Sequence, residues 1–384
     1  MTVAGFSSTG SKRPGALWGE APGDAPLRMT RSAGARLWDD RGREYLDFVM
    51  ALGAVSLGYG DAEVTSAAAA AIARGGVGSL APVEEEQLAA ELAAVMPWLE
   101  RIRFLKTGAE AVAAAVRLCR AATGRDRVLG CGYHGWLDLG SRDPGVPAPV
   151  QALFGQLPFG EPDESRRRIR EAGDALAAVV VEPVVDGPPN EEWLECLRAE
   201  CDRSGAVLVF DEIKTGFRVA VGGAVERWGV RADLVVLGKA LANGFPLAAV
   251  GGRADLMDGV ERTWISSTLA TEFVALAAAR AALARTVAAR VPEHLGRVGN
   301  ALLAGFRSLE ARYPGVVTAA GVPEMSYLRF ADAEAGARTA VALAARGILF
   351  KRTAYNFVSL AHTAADVDRC LASLGEVLAE TVPC

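Results

Sequence analysis

The chain has 384 residues, enough for two domains and a buried active site, and just over half of them are apolar with about a quarter charged, which excludes a disordered chain. Its 41 basic and 46 acidic residues leave a net charge of −5 with no basic block, so no nucleic-acid partner is expected. Six scattered cysteines without a CxxC pair give neither a disulfide framework nor a metal site, and the absence of a signal-like start or of a run of about eighteen apolar residues leads to the expectation of a cytoplasmic protein with no membrane segment.

Taken in chain order, a Gly-, Pro- and Ser-rich start leads into two short strands around the polar turn Asp40-Arg41-Gly42, a β-hairpin signal ending near Phe48. Helical spacing follows over 62–74 and 82–95. From about residue 100 short β-branched runs alternate with amphipathic stretches. Strands are expected at 101–105, 126–129, 177–181, 206–210 and 234–237, and helices at 109–123 and 191–204. Such alternation predicts an α/β fold, with a mainly parallel sheet covered on both faces. Beyond about 285 the chain is Ala-rich with strands near 325–330 and 357–360, the pattern of a smaller α+β domain. The expected organisation is an N-terminal arm and hairpin over 1–48 packing with the small domain, a large domain over 49–284, and a small C-terminal domain over 285–384.

Several apolar runs end in chemically distinctive clusters. Val181 is followed by Glu182-Pro183, Phe210 by Asp211-Glu212, Leu237 by Gly238-Lys239, and Leu105 by Lys106-Thr107-Gly108-Ala109-Glu110. In parallel sheets the carboxyl ends of the strands gather the chemistry. A lysine, two acids and a helix start at one sheet edge suit pyridoxal 5'-phosphate (PLP). Lys239 forms a Schiff base with the cofactor and moves the substrate proton. Asp211 pairs with the ring nitrogen. Thr107, Gly108 and Ala109 open a helix whose amides receive the phosphate. Tyr133 or His134 offers a face to the ring, and Glu182 lies near ring or substrate. Lys214 and Arg218 are expected to be solvated charges.

A competing motif is Gly130-Cys131-Gly132-Tyr133-His134-Gly135, which spells GxGxxG after a strand. A dinucleotide-binding turn would open a helix there, whereas the chain runs into a Pro-rich stretch, so an NAD-dependent oxidoreductase is disfavoured. A non-catalytic relative is disfavoured because Lys239 and Asp211 are both present.

The set Lys106-Thr-Gly-Ala-Glu-Ala111, Tyr133-His-Gly135, Glu182-Pro183, Asp211-Glu-Ile-Lys-Thr-Gly-Phe-Arg218, Gly238-Lys-Ala-Leu-Ala-Asn-Gly-Phe-Pro246 and Ser267-Thr-Leu269 resembles the class III aminotransferases, nearest the glutamate-1-semialdehyde aminomutase branch, over roughly residues 35 to 370. The resemblance implies a fold-type-I PLP-dependent transferase that works as a homodimer, with Ile213 against the opposite ring face and the Thr268 hydroxyl reaching the partner subunit's phosphate site. It implies ping-pong transamination between a small-molecule amino donor and a ketone or aldehyde acceptor, with an aminomutase or racemase as the alternative. By the same alignment Trp18, Met50, Leu52, Glu272, Lys351, Arg352 and Tyr355 fall on the substrate side. Lys351 or Arg352 is expected to hold a carboxylate, and Glu272, from the neighbouring subunit, to receive an amino or hydroxyl group.

Overall fold

The computed structural model describes residues 2–381. They form two compact units, one made of the residues up to Asp61 together with those from Arg290 onward, the other of Ala62–Ala289. Cys384, one of the six cysteines, lies outside the described residues. No helix among the described residues is long and apolar enough to cross a membrane.

The first unit has the short helix Pro14–Trp18 near its start and continues with the strands β1 (Met29–Ala33), β2 (Arg36–Asp39) and β3 (Glu44–Asp47). The expected hairpin is formed by β2 and β3, with Leu37 opposite Tyr45. Its turn closes on the buried Asp39, whose Oδ1 accepts from the amides of Arg41 at 2.9 Å and Arg43 at 2.8 Å. A carboxylate satisfied in this way makes the polar turn specific rather than merely permissive.

The second unit carries the large sheet: β4 (Arg101–Leu105), β5 (Arg127–Cys131), β6 (Phe154–Gln156), β7 (Leu176–Val181), β8 (Val207–Asp211), β9 (Leu234–Leu237) and β10 (Ala248–Gly252). Their order is β4-β10-β9-β8-β7-β5-β6. The strands from β9 to β6 pair in parallel, and β10 runs antiparallel to both of its neighbours. Every residue of β7 is buried, the continuous apolar pattern of a strand covered on both sides. Alternate residues feed two cores. Val179, Val181, Leu208, Phe210, Val235 and Leu237 pack with Trp193 and Leu197, whereas Ala178, Val180, Val207, Val209, Leu234 and Val236 pack with Val112, Val116 and Cys119.

β10 was not among the expected strands, because Ala248-Ala249-Val250-Gly251-Gly252 lacks β-branched density. Small residues are what its place demands: a Cβ on Gly251 would lie 2.9 Å from the Arg101 carbonyl oxygen. The helix Gly108–Thr123 forms as expected and ends at the left-handed Gly124.

After Arg290 the first unit resumes with β11 (Val317–Val322), β12 (Met325–Phe330), β13 (Ile348–Leu349) and β14 (Asn356–Phe357). β11, β12 and β14 form a small antiparallel sheet, and β13 extends the hairpin sheet by pairing in parallel with β3. The strand expected over 357–360 is confined to Asn356–Phe357.

Candidate active site

Asp211 is the last residue of β8 and only 2% exposed. Its Oδ2 lies 2.8 Å from His134 Nδ1, and its Oδ1 accepts from the Ile213 amide at 3.2 Å. His134 Nε2 is buried without a partner among the described residues, so one edge of the ring is committed to Asp211 and the other meets no polar group of theirs.

The turn after β5 is held by two glycines. Gly132 has φ +106°, and a Cβ there would stand 2.5 Å from Glu182 Oε2. Gly135 has φ +99°, and a Cβ there would stand 2.5 Å from the Ala109 Cβ. The loop therefore passes over the first turn of the helix Gly108–Thr123, a closeness only glycine permits. No helix opens at this GxGxxG sequence; the next begins at Ala148. The loop also separates the aromatic pair. His134 faces Asp211, while Tyr133 is 70% exposed, so Tyr133 is the residue with a free ring face.

Glu182, following β7, accepts from the Tyr133 amide at 3.1 Å through Oε2 and lies 3.1 Å from Lys214 Nζ through Oε1. The expectation that Lys214 and Arg218 are solvated is corrected: both are buried, Arg218 completely. The chain after β8 turns back on itself, with the Gly216 amide donating to the Glu212 carbonyl and the Arg218 amide to that of Thr215, and this carries both cations inside.

Ile213 joins two other strand ends. A Cβ on Gly108 would lie 2.5 Å from its Cδ1, and one on Gly238 would lie 3.4 Å from its Cγ2. Thr107 caps the helix in a capping box: its hydroxyl accepts from the Glu110 amide at 3.2 Å, and its own amide donates to Glu110 Oε2 at 2.8 Å. The Thr107 hydroxyl is thus engaged by Glu110 rather than left for a phosphate. The amides of Gly108 and Ala109 have no partner among the described residues and mark an anion-ready helix start.

Lys239 follows the extended Gly238 and takes the left-handed conformation at φ +43°, a costly one for a side chain of this kind. It is half-buried. Burial lowers its pKa below that of an ordinary lysine, against the opposite pull of the Asp211 and Glu182 charges. Desolvation thus brings the neutral amine within reach.

The remaining expected residues are distributed otherwise. Thr268 sits in an exposed turn of the same unit and its hydroxyl makes no hydrogen bond among the described residues; Arg103 Nη2 tethers this segment by donating to the Ile265 carbonyl at 2.7 Å. Glu272 is engaged inside its own chain, 2.6 Å from Lys106 Nζ and accepting from the Val274 amide at 2.8 Å, instead of presenting a free carboxylate to a substrate. Trp18, Lys351, Arg352 and Tyr355 belong to the other unit. There Trp18 Nε1 donates to the Pro26 carbonyl at 3.0 Å, Lys351 Nζ to that of Ser11 at 3.3 Å, and Arg352 Nη2 to that of Gly15 at 2.9 Å. Tyr355 packs edge-on against Tyr327. The two cations expected to take a carboxylate thus serve as fasteners of the N-terminal segment. Met50 and Leu52 lie in a run of left-handed residues from Met50 to Gly53, a strained turn not foreseen from the sequence.

Comparison with known proteins identifies the family. Residues 20–378 match the family described as aminotransferase class-III. A glutamate-1-semialdehyde 2,1-aminomutase of Roseiflexus castenholzii is 35% identical, with 93% of this chain and 91% of that protein covered. Among solved structures, the PLP internal aldimine form of the FumI protein of Sphingopyxis sp. MTA144 superposes with a TM-score of 0.88 at 26% identity, covering 93% of this chain and 89% of the other. A β-phenylalanine aminotransferase from Variovorax paradoxus gives a TM-score of 0.85 at 28% identity, covering 92% and 87%.

Proposed function

The chain belongs to the class III aminotransferases, and from that premise we propose that it transfers an amino group from a small-molecule donor to a ketone or aldehyde acceptor in two half-reactions, at the strand ends that carry Lys239 and Asp211. PLP is the cofactor, and the residues present suit it: a half-buried lysine, a buried carboxylate and two unpartnered helix-start amides surround one sheet edge. When bound it supplies an electron-withdrawing ring that stabilises negative charge on the carbon beside the transferred nitrogen.

Each protein group then has a defined task. Lys239 Nζ would hold the cofactor and would serve as the base that moves the substrate proton, for which its lowered pKa suits it. Asp211, kept oriented by the His134 Nδ1 hydrogen bond, would pair with the ring nitrogen and favour its protonated form. Gly108 and Ala109 amides receive the phosphate, aided by the helix dipole. Tyr133 and Ile213 would pack against the ring, while Glu182 and Lys214 fix the loop from which Tyr133 projects. We assign the working form as a homodimer in which Thr268 completes the partner's phosphate site; its unpartnered hydroxyl and the exposed Trp264 and Leu269 around it support that reading.

The observation that carries the proposal is the buried Asp211–His134 pair one strand away from Lys239. The test is the absorbance spectrum of the purified protein. A visible band that borohydride abolishes and Lys239→Ala lacks is expected, and a panel of α- and β-amino acids should bleach it selectively. A wild-type protein reconstituted with PLP that shows no such band would falsify the proposal.

A second reading, an intramolecular amino shift, is favoured by the aminomutase relative. Incubation with one amino-carbonyl compound and no separate acceptor distinguishes the two: an aminomutase isomerises it, and a transaminase requires the acceptor.

A further inference from the structure

Lys106 and Glu272 have no task in the reaction above, yet they form a tight and mostly buried ion pair. Nζ lies 2.6 Å from Oε1, and the two side chains are only 14% and 18% exposed. Both are tied to functional segments. Lys106 immediately precedes the turn that opens the helix Gly108–Thr123, and its amide donates at 3.3 Å to Glu110 Oε2, the same oxygen that receives the Thr107 amide. Glu272 caps the helix Phe273–Ala288, accepting from the amides of Val274 at 2.8 Å and Ala275 at 3.1 Å, and lies four residues after Thr268. A continuous polar chain therefore runs from the start of one helix, through Glu272, Lys106 and Glu110, to the start of the other.

The turn it reaches sits on an edge strand. Among the described residues β4 pairs with β10 alone, so no neighbouring strand of theirs fixes its outer side. Two free amides hold a phosphate well only when they need not rearrange to do so, and an edge turn without lateral support would have to. Lys106 is poorly suited to contact the phosphate directly, because its charge is already answered by Glu272.

We propose that the Lys106–Glu272 ion pair is a positioning device that locks the phosphate-binding turn Thr107-Gly108-Ala109 to the segment carrying Thr268, so that cofactor affinity depends on a pair that does not touch the cofactor. This rests on the assignment of Gly108 and Ala109 as phosphate donors. Glu272→Gln is the informative variant, since it keeps an acceptor for the helix cap while removing the charge.

The experiment titrates full-length protein, freed of cofactor, with PLP and separately with pyridoxal, which lacks the phosphate, following quenching of tryptophan fluorescence. Lys106→Met and Glu272→Gln should each raise the dissociation constant for PLP by about tenfold, and the double variant by no more than the larger single effect, as coupled partners do. Pyridoxal affinity should stay constant. Equal losses for PLP and pyridoxal, or additive effects in the double variant, would overturn the proposal in favour of a purely structural pair. Tighter PLP binding by Glu272→Gln would also overturn it, by making the freed Lys106 a direct phosphate contact. Ala109→Pro separates this from the underlying assignment, because proline is tolerated in the first helical turn and deletes one amide donor. If Ala109→Pro leaves PLP affinity intact the phosphate assignment fails; if it alone weakens PLP binding, that assignment stands and the ion-pair proposal fails.

Discussion

Glu212 follows Asp211 in the chain and is sealed from solvent, at 1% exposure. Its Oε2 accepts from the Thr215 hydroxyl at 2.5 Å and its Oε1 from the amides of Ala224 at 2.6 Å and Val225 at 3.3 Å. Burial pushes its pKa up to about 7, and these donors only partly oppose it; the neighbouring Asp211 charge adds to the rise. A carboxyl whose folded pKa exceeds its unfolded value binds its proton more tightly when folded. Its contribution is therefore fully present below about pH 4.5 and is lost as the pH rises through about 7, a change on the order of 3 kcal/mol. Glu212→Gln removes this titration and keeps an acceptor for the helix amides. Melting temperatures measured from pH 4.5 to 8 should show the variant gaining on the wild type by several degrees as the pH rises; parallel curves would refute the assignment. Asp211 and Lys239 stand out in the sequence because one ends an apolar run and the other follows one across a single glycine. The burial of Lys214 and Arg218 was not, since it depends on where the chain turns after β8.

At the scale of an element, the helix Gly108–Thr123 is set by its first turn. The spacing of Thr107 and Glu110 is that of a capping box, a signal present in the sequence, where Thr107 was instead expected at the phosphate with Gly108 and Ala109. The structure divides the work, with the side chains of Thr107 and Glu110 closing the box and the amides of Gly108 and Ala109 left outside it. Thr107→Ala should consequently cost about 1 kcal/mol in chemical unfolding of the cofactor-free protein. Its effect on PLP affinity should be much smaller than that of Ala109→Pro. A large loss of affinity without loss of stability would return the hydroxyl to the phosphate. The same logic explains β10, whose small residues gave no strand signal because close approach, and not β-propensity, decides what fits between β4 and β9. It also explains Glu272, where sequence alone could not distinguish a helix cap from a substrate contact.

For the whole molecule, the exposed turn after Trp264 carries Thr268 and Leu269 together, the latter 55% exposed. Exposed apolar side chains clustered beside an unpartnered hydroxyl suit an interface between copies of the chain. If the proposed homodimer forms through this turn, Leu269→Arg should convert the sedimenting species from dimer to monomer and weaken PLP binding, since each phosphate site would lose the partner's Thr268. A wild-type protein that already sediments as a monomer would refute the shared site. The order of the large sheet has a further consequence, in time rather than in space. β4 waits for β10, a strand made far later in the chain, and Leu105 finds its partner Ala248 only after the intervening β5 to β9 have been synthesised. Chains still emerging from the ribosome with β10 inside the exit tunnel therefore have an unpaired β4 beside the helix start, so this edge of the sheet is completed late in synthesis.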